Sequence, residues 1–132
     1  GYPGERRLDP LAVPGAIYTE PQVASFGYTE SAAKEKGIAC ETRSFPYKGV
    51  GKAVAEGRAE GFVKVVFESS THEILGVHAI GAEATEIIHE YLLAKKSELL
   101  PSEIAGMIHA HPTMSEAVME SARAVEGWAI HF

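Results

Sequence analysis

The stretch from Phe62 to Leu92 constrains the fold more than any other, because its hydrophobic period changes partway along. In Phe62-Val63-Lys64-Val65-Val66-Phe67-Glu68, the side chains of Val63, Val65 and Phe67 face one way, and Lys64 and Glu68 share the other face with Phe62 and Val66. Successive side chains point to opposite faces of a strand, so this run predicts a strand. Ser69-Ser70-Thr71-His72 is a polar turn, and Ile74 to Ile80 returns. Together they predict a β-hairpin with a loop longer than the tightest type. Beyond it, Ala84, Ile87, Ile88, Tyr91 and Leu92 follow helical spacing and make one buried stripe. Lys95 and Lys96 suit the negative pole at the end of that helix.

The flanking segments are shorter and less regular. Ala16-Ile17-Tyr18 and Val23 to Tyr28 read as strands separated by Thr19-Glu20-Pro21-Gln22. Thr29 and Ser31 stand where a helix cap belongs, ahead of Ala32 to Lys36, and Gly37 is a helix stop. Ile38 to Phe45 carries the alternation of a strand. Residues 46–60 are ambiguous: Gly49, Gly51 and Gly57 argue against a long helix, and Lys52 to Glu56 suffice for one short turn. Pro101 can open a helix that runs to about Ile108, since the first helical position needs no N–H. Met114, Ala117, Val118, Ala122 and Val125 predict a last amphipathic helix, stopped by Gly127. Strands come mostly first and helices mostly last, which predicts an α+β fold: an antiparallel β-sheet covered on one face by helices. Residues 1–10 read as a lead-in segment or the remnant of a preceding domain, and 11–132 as one domain.

Composition removes several function classes. The formal net charge is −6 and the basic residues are scattered, which argues against a nucleic-acid surface. No apolar run approaches the roughly 18 residues that span a bilayer, so no membrane segment is expected. The start of the chain also lacks a signal-peptide pattern. Cys40 is the single cysteine, so an internal disulfide and any CxxC or CxxxxC redox pair are excluded. Its expected state is a small buried hydrophobe or inert thiol, which suits a reducing cytoplasm.

Chemistry is concentrated in His109-Ala110-His111-Pro112-Thr113-Met114-Ser115-Glu116. Pro112 biases His111 toward an extended backbone and makes a cis peptide attainable. Glu116, just inside the helix, is placed to accept a hydrogen bond from one ring nitrogen and leave the other free, as a positioned acid/base requires. The same residues fit a capping box, with Thr113 as cap and Glu116 satisfying a backbone donor. Both readings of Glu116 stand on the residues alone. His109 and His111 also form an H-x-H pair, but no third ligand stands at a familiar spacing, so no metal site is expected. Gly81-Ala82-Glu83-Ala84 lacks the glycines of a dinucleotide loop and reads as a strand-to-helix turn. The chain thus carries a base with nothing of its own for that base to act on.

The octapeptide closely resembles the C-terminal active-site motif of the dihydrolipoamide dehydrogenases, within the flavin-dependent pyridine nucleotide-disulfide oxidoreductases. Pro14 to Gly27 resembles that family's approach to its interface domain, and Ile74 to Gly81 with the following helix is a third matching segment. Glu20 stands where the family often has His or Asp. The resemblance covers roughly residues 11–127 and implies the C-terminal dimerisation domain, whose flavin and nicotinamide domains and redox cysteine pair would precede it. It implies FAD and NAD as cofactors of the full-length enzyme, with none bound to this fragment alone. It implies His111 as acid/base and Glu116 as its orienting partner, both reaching across the two-fold axis into the other subunit's site. His109, Ala110 and a cis Pro112 would set the turn against the partner subunit's flavin. The implied partners are a second copy of the chain and, in the full-length setting, the lipoamide-bearing acyltransferase of a 2-oxo acid dehydrogenase complex. The first histidine favours lipoamide over glutathione, so a glutathione reductase-like enzyme is the alternative, and a pure homodimerisation module is a second. Apolar helix faces at Ile87 to Leu92 and Met114 to Val125 are expected to exceed what one small sheet can bury and to supply part of the subunit contact.

Overall fold

Five antiparallel strands organise the chain in a computed structural model, whose described residues are Gly4 and 7–131. The strands are β1 (Gly15–Ile17), β2 (Gln22–Gly27), β3 (Cys40–Pro46), β4 (Phe62–Glu68) and β5 (Ile74–Gly81). Five helices join them: α1 (Glu30–Glu35), α2 (Gly51–Ala55), α3 (Ala84–Lys96), α4 (Pro101–Gly106) and α5 (Glu116–Glu126). The strand order is β1-β2-β5-β4-β3. The expected hairpin is present, with Val63 opposite Ala79 and Val65 opposite Val77. Of the expected lead-in segment, residues 1–3, 5 and 6 lie outside the described residues.

The alternation in β4 does what its pattern predicts. Val63, Val65 and Phe67 enter the main core beside Phe26, Phe45 and Val77. Across that face lie α3, against β2 and β5, and α5, against β3 and β4. Each large apolar side chain fully buried there contributes roughly 1.5–3 kcal/mol. The opposite face is not bare. Val66 and Leu75 pack with Ala33 of α1 in a smaller cluster edged by Tyr28, Ile38 and Cys40. Cys40 is half-buried there, its thiol 3.9 Å from the Glu30 carbonyl. Helical cover is therefore mainly, rather than wholly, on one side.

The apolar helix stripes are consumed inside this fold. Ile87, Ile88, Tyr91, Met114, Val118 and Val125 are all buried. Of the large apolar residues in those stripes Leu92 stays half-buried, so they leave little surplus for a subunit contact, less than their number led one to expect. The exposed apolar side chains are different ones, among them Leu93, Met107, Ile108, Trp128 and Ile130.

Two local devices hold the site's supports in place. Gly81 ends β5 at φ +149°, and a Cβ there would meet the Tyr47 ring at 2.6 Å. Tyr47, buried in a 3-10 turn of residues 47–49, donates to the Ala82 carbonyl at 2.9 Å. The strand-to-helix turn and the loop before α2 are thereby pinned together. Tyr91 of α3 bonds the Ser121 hydroxyl at 2.9 Å and donates to the Val118 carbonyl at 3.3 Å, tying α3 to α5.

Tyr91→Phe should lower unfolding stability by about 1–2 kcal/mol in urea titrations, because Ser121 loses a buried partner. The hairpin loop gives a pH prediction. One Glu68 oxygen accepts from the N–H and hydroxyl of both Ser70 and Thr71. Those bonds hold its carboxyl below the ordinary 4.5, at about 2. A depressed carboxyl stabilises the fold above its ordinary value and loses that contribution as pH falls through the folded one. Glu68→Gln should therefore melt below the parent at neutral pH, and the gap should shrink as pH falls from 4.5 through about 2.

Candidate active site

The His-Pro segment lies between two helices and is itself irregular. Helix α4 ends at Gly106, short of the expected Ile108, because Met107 is already extended with φ −71° and ψ 148°. Helix α5 begins at Glu116 rather than Met114, whose side chain is nonetheless buried as an anchor. The His111–Pro112 peptide is cis. The His111 side chain is 73% exposed.

His111 Nδ1 lies 3.0 Å and 3.2 Å from the two Glu116 oxygens. An ionised carboxylate only accepts, so Nδ1 carries a proton, and in the neutral imidazole Nε2 is the acceptor. Glu116 also accepts from the Thr113 N–H at 3.0 Å. The carboxylate therefore orients the ring and satisfies a backbone donor at once, and neither reading excludes the other. The capping box itself is only half made. The Thr113 hydroxyl donates to the Ala110 carbonyl at 2.7 Å, and no side chain caps α5 through Ser115. Burial pushes the Glu116 carboxyl up, but the Thr113 N–H and the His111 ring together hold it below its ordinary value.

The pair borders a groove of about 400 Å³ lined by Lys48, Gly51, Val54, Met119, Glu120 and His131 among others. Gly51 faces the ring, where a Cβ would stand in ordinary van der Waals contact, 3.7 Å from His111. The other expected site residues are placed differently. His109 turns inward, its ring 5% exposed and its Nε2 2.7 Å from Glu90 of α3. Ala110 and Pro112 are exposed at the tip of the turn. The two imidazoles of the H-x-H pair thus engage different carboxylates. Among the described residues no three His, Cys, Asp or Glu side chains gather as a metal-holding group.

Glu120 is a site residue that sequence reasoning missed. It is 2% exposed and accepts from Arg123 at 2.7 Å, the Ile130 N–H at 2.8 Å and the His131 N–H at 3.2 Å. Burial pushes its carboxyl up, while the Ile130 N–H and the Arg123 guanidinium hold it below its ordinary value. The tail is thereby folded back beside His111. The only sequence signal was the i, i+3 spacing of Glu120 and Arg123, which ordinarily marks a solvated pair.

The chain matches the family described as the pyridine nucleotide-disulphide oxidoreductase dimerisation domain over residues 13–122. It belongs to that family. It is 47% identical over 125 residues to the dihydrolipoyl dehydrogenase of Bacillus subtilis, covering 95% of this chain and 26% of that protein. The dihydrolipoyl dehydrogenase of Zymomonas mobilis is 45% identical over 125 residues, covering 95% of this chain and 27% of that protein. The crystal structure of LpdA from Mycobacterium tuberculosis superposes with a TM-score of 0.85 at 24% identity, over 92% of this chain and 27% of that one. The chain therefore spans about a quarter of the length of the curated relatives it matches. Its fold and family are those of a dimerisation domain of dihydrolipoyl dehydrogenase-like disulfide reductases.

Glu120→Ala should cost about 2–3 kcal/mol of stability, since hydrogen bonds to a charged group are lost together. Hydrogen exchange should show the Ile130 and His131 amides losing protection, while those of β4 and β5 keep theirs.

Proposed function

We propose that residues 11–132 are the C-terminal dimerisation domain of a dihydrolipoyl dehydrogenase, with 1–10 left from the preceding domain. In this reading the domain lends His111 and Glu116 to the disulfide site of a second subunit. The observation that carries it is the exposed His111 ring, its Nδ1 held by Glu116 and its Nε2 open. A base oriented so firmly, with no thiol or other reacting group beside it among the described residues, suits a site completed by another subunit. The relatives' names support the substrate, dihydrolipoamide.

His111 Nε2 takes the proton from one dihydrolipoamide thiol. The thiolate, the nucleophilic form, attacks one sulfur of the partner subunit's disulfide. A mixed disulfide forms, the old S–S bond breaks, and the second sulfur leaves as thiolate. Glu116 stabilises the imidazolium so formed, as an orienting carboxylate does. FAD and NAD, bound by the preceding domains, supply the electron acceptors of the full-length enzyme. For a flavin contact, the exposed Ala110 and Pro112 suit a planar edge, whereas the inward ring of His109 leaves only its backbone for that purpose. The homodimer reading draws on the exposed apolar side chains of Met107, Ile108, Trp128 and Ile130, which flank the turn and the tail in sequence. A lipoamide-bearing acyltransferase is the proposed physiological partner, in a reducing, cytoplasmic setting. No helix among the described residues is long and apolar enough to cross a membrane.

The isolated chain given FAD, NADH and lipoamide should show no turnover. In the full-length enzyme, His111→Gln should lower dihydrolipoamide oxidation by about 10²–10⁴-fold, the usual weight of a lost acid/base. NADH-driven ferricyanide reduction, which needs no thiol deprotonation, should survive. Near-normal thiol oxidation in that variant would sink the assignment.

A further inference from the structure

His109 and Glu90 form a second histidine–carboxylate pair that the proposed chemistry does not use. The pair is built differently from its neighbour. His111 gives Nδ1 to its carboxylate and opens Nε2 on an exposed ring, whereas His109 gives Nε2 to Glu90 from a ring only 5% exposed. In their neutral forms, two imidazoles two residues apart thus carry their protons on opposite nitrogens. His109 Nδ1 is buried and has no hydrogen-bond partner. Leaving a buried polar atom unpaired is unfavourable, and an apolar side chain would fill the same space without that loss. What an apolar side chain would not supply is the bond from Nε2 to Glu90.

That bond has a particular place in the turn. Among the described residues, two carboxylates provide the hydrogen bonds tying residues 108–113 to anything outside the turn. Glu116 binds His111 and Thr113 from the α5 side, and Glu90 binds His109 from α3. The Thr113–Ala110 bond is internal to the turn. Ile108 is 97% exposed, so no apolar anchor holds the turn on that side. Glu116 sets the ring of His111, but the backbone from which the ring projects is secured on its N-terminal side through His109. Glu90 is itself held firmly, because the adjacent Tyr91 locks α3 to α5.

We infer that Glu90, acting through the buried ring of His109, is a positioning residue for the acid/base at 111. It never touches the substrate. It fixes how far the exposed imidazole reaches, and a displacement of about an ångström in such a group is enough to slow a reaction by about 100-fold. The inference rests on the acid/base reading of His111.

The test uses the full-length flavoenzyme that carries this domain. Glu90→Ala should lower kcat for dihydrolipoamide oxidation by about 10–100-fold, as for other groups that orient a reacting side chain. KM should stay within about twofold, and NADH–ferricyanide reduction should be retained, because both are independent of where His111 sits. Glu90→Gln, whose amide oxygen still accepts from Nε2, should restore at least about a third of the lost rate. His109→Asn, too short for the same reach, should lose as much as Glu90→Ala. Where Glu90→Ala is too unstable to purify, Glu90→Leu and His109→Asn give the decision. The inference is overturned if the non-bonding variants keep kcat within about twofold, if Glu90→Gln falls as far as Glu90→Ala, or if ferricyanide reduction falls in parallel with thiol oxidation. His111→Gln measured alongside separates the two claims. If it alone loses thiol oxidation, the positioning claim fails and the acid/base reading stands. If it retains thiol oxidation, the acid/base reading has failed.

Discussion

Strand β5 is hydrogen-bonded along both edges, by β2 on one side and β4 on the other, and the positions of the remaining elements follow from that double pairing. A strand paired on both sides has its register set twice. Here Ala79 stands opposite both Ala24 and Val63, and Val77 opposite both Phe26 and Val65. The face those residues share is the floor of the main core. Because α3 follows β5 across only the Gly81–Glu83 turn, it has little choice but to lie back over β5 and β2. Tyr91 then fixes α5 against α3, and the first residue of α5 is Glu116. The base at the end of this chain of contacts owes its position to a strand that it does not touch.

The site itself shows how one carboxylate can serve folding and chemistry together. Glu116 accepts from the Thr113 N–H just ahead of α5 through Oε2 and orients the His111 ring with both oxygens. Removing it would loosen the helix start and the imidazole at once, so stability and the proposed activity are coupled there. Glu90 and Glu120 act on the surroundings instead, one bracing the turn and the other folding the tail back beside the groove. Three carboxylates on two helices thus organise a surface whose proposed reaction partner belongs to a second subunit.

Much of the architecture was legible because its signals are local. The alternation in Phe62 to Glu68, the stripe from Ala84 to Leu92 and the helix stop at Gly37 each depend on neighbours a few residues away, and each element formed. Thr29 caps α1 as its position suggested, accepting from the Ala32 N–H. Local signals misled at the ends of elements. Met107 left the helix that Pro101 opened, and Thr113 turned its hydroxyl to Ala110 instead of the helix start. The count of apolar helix residues overstated the surface left over, because α3 and α5 share one sheet face and fill it between them. Periodicity placed Val66 on the polar face of β4, but it could not say that α1 would cover it.

By itself the sequence determined the α+β order of elements and the His-Pro turn, and it put Glu116 within reach of His111 while leaving its capping role equally open. Tertiary structure alone decided that His109 would find Glu90, that Glu120 would be buried against the returning tail, and that His111 would stay exposed. The physical reason is range. Helix and strand periods repeat over a few residues, whereas the Glu90–His109 contact joins groups nineteen positions apart across two helices and a turn. No pattern in either segment announces the other, and only the packing of α3 against the sheet and α5 brings them together.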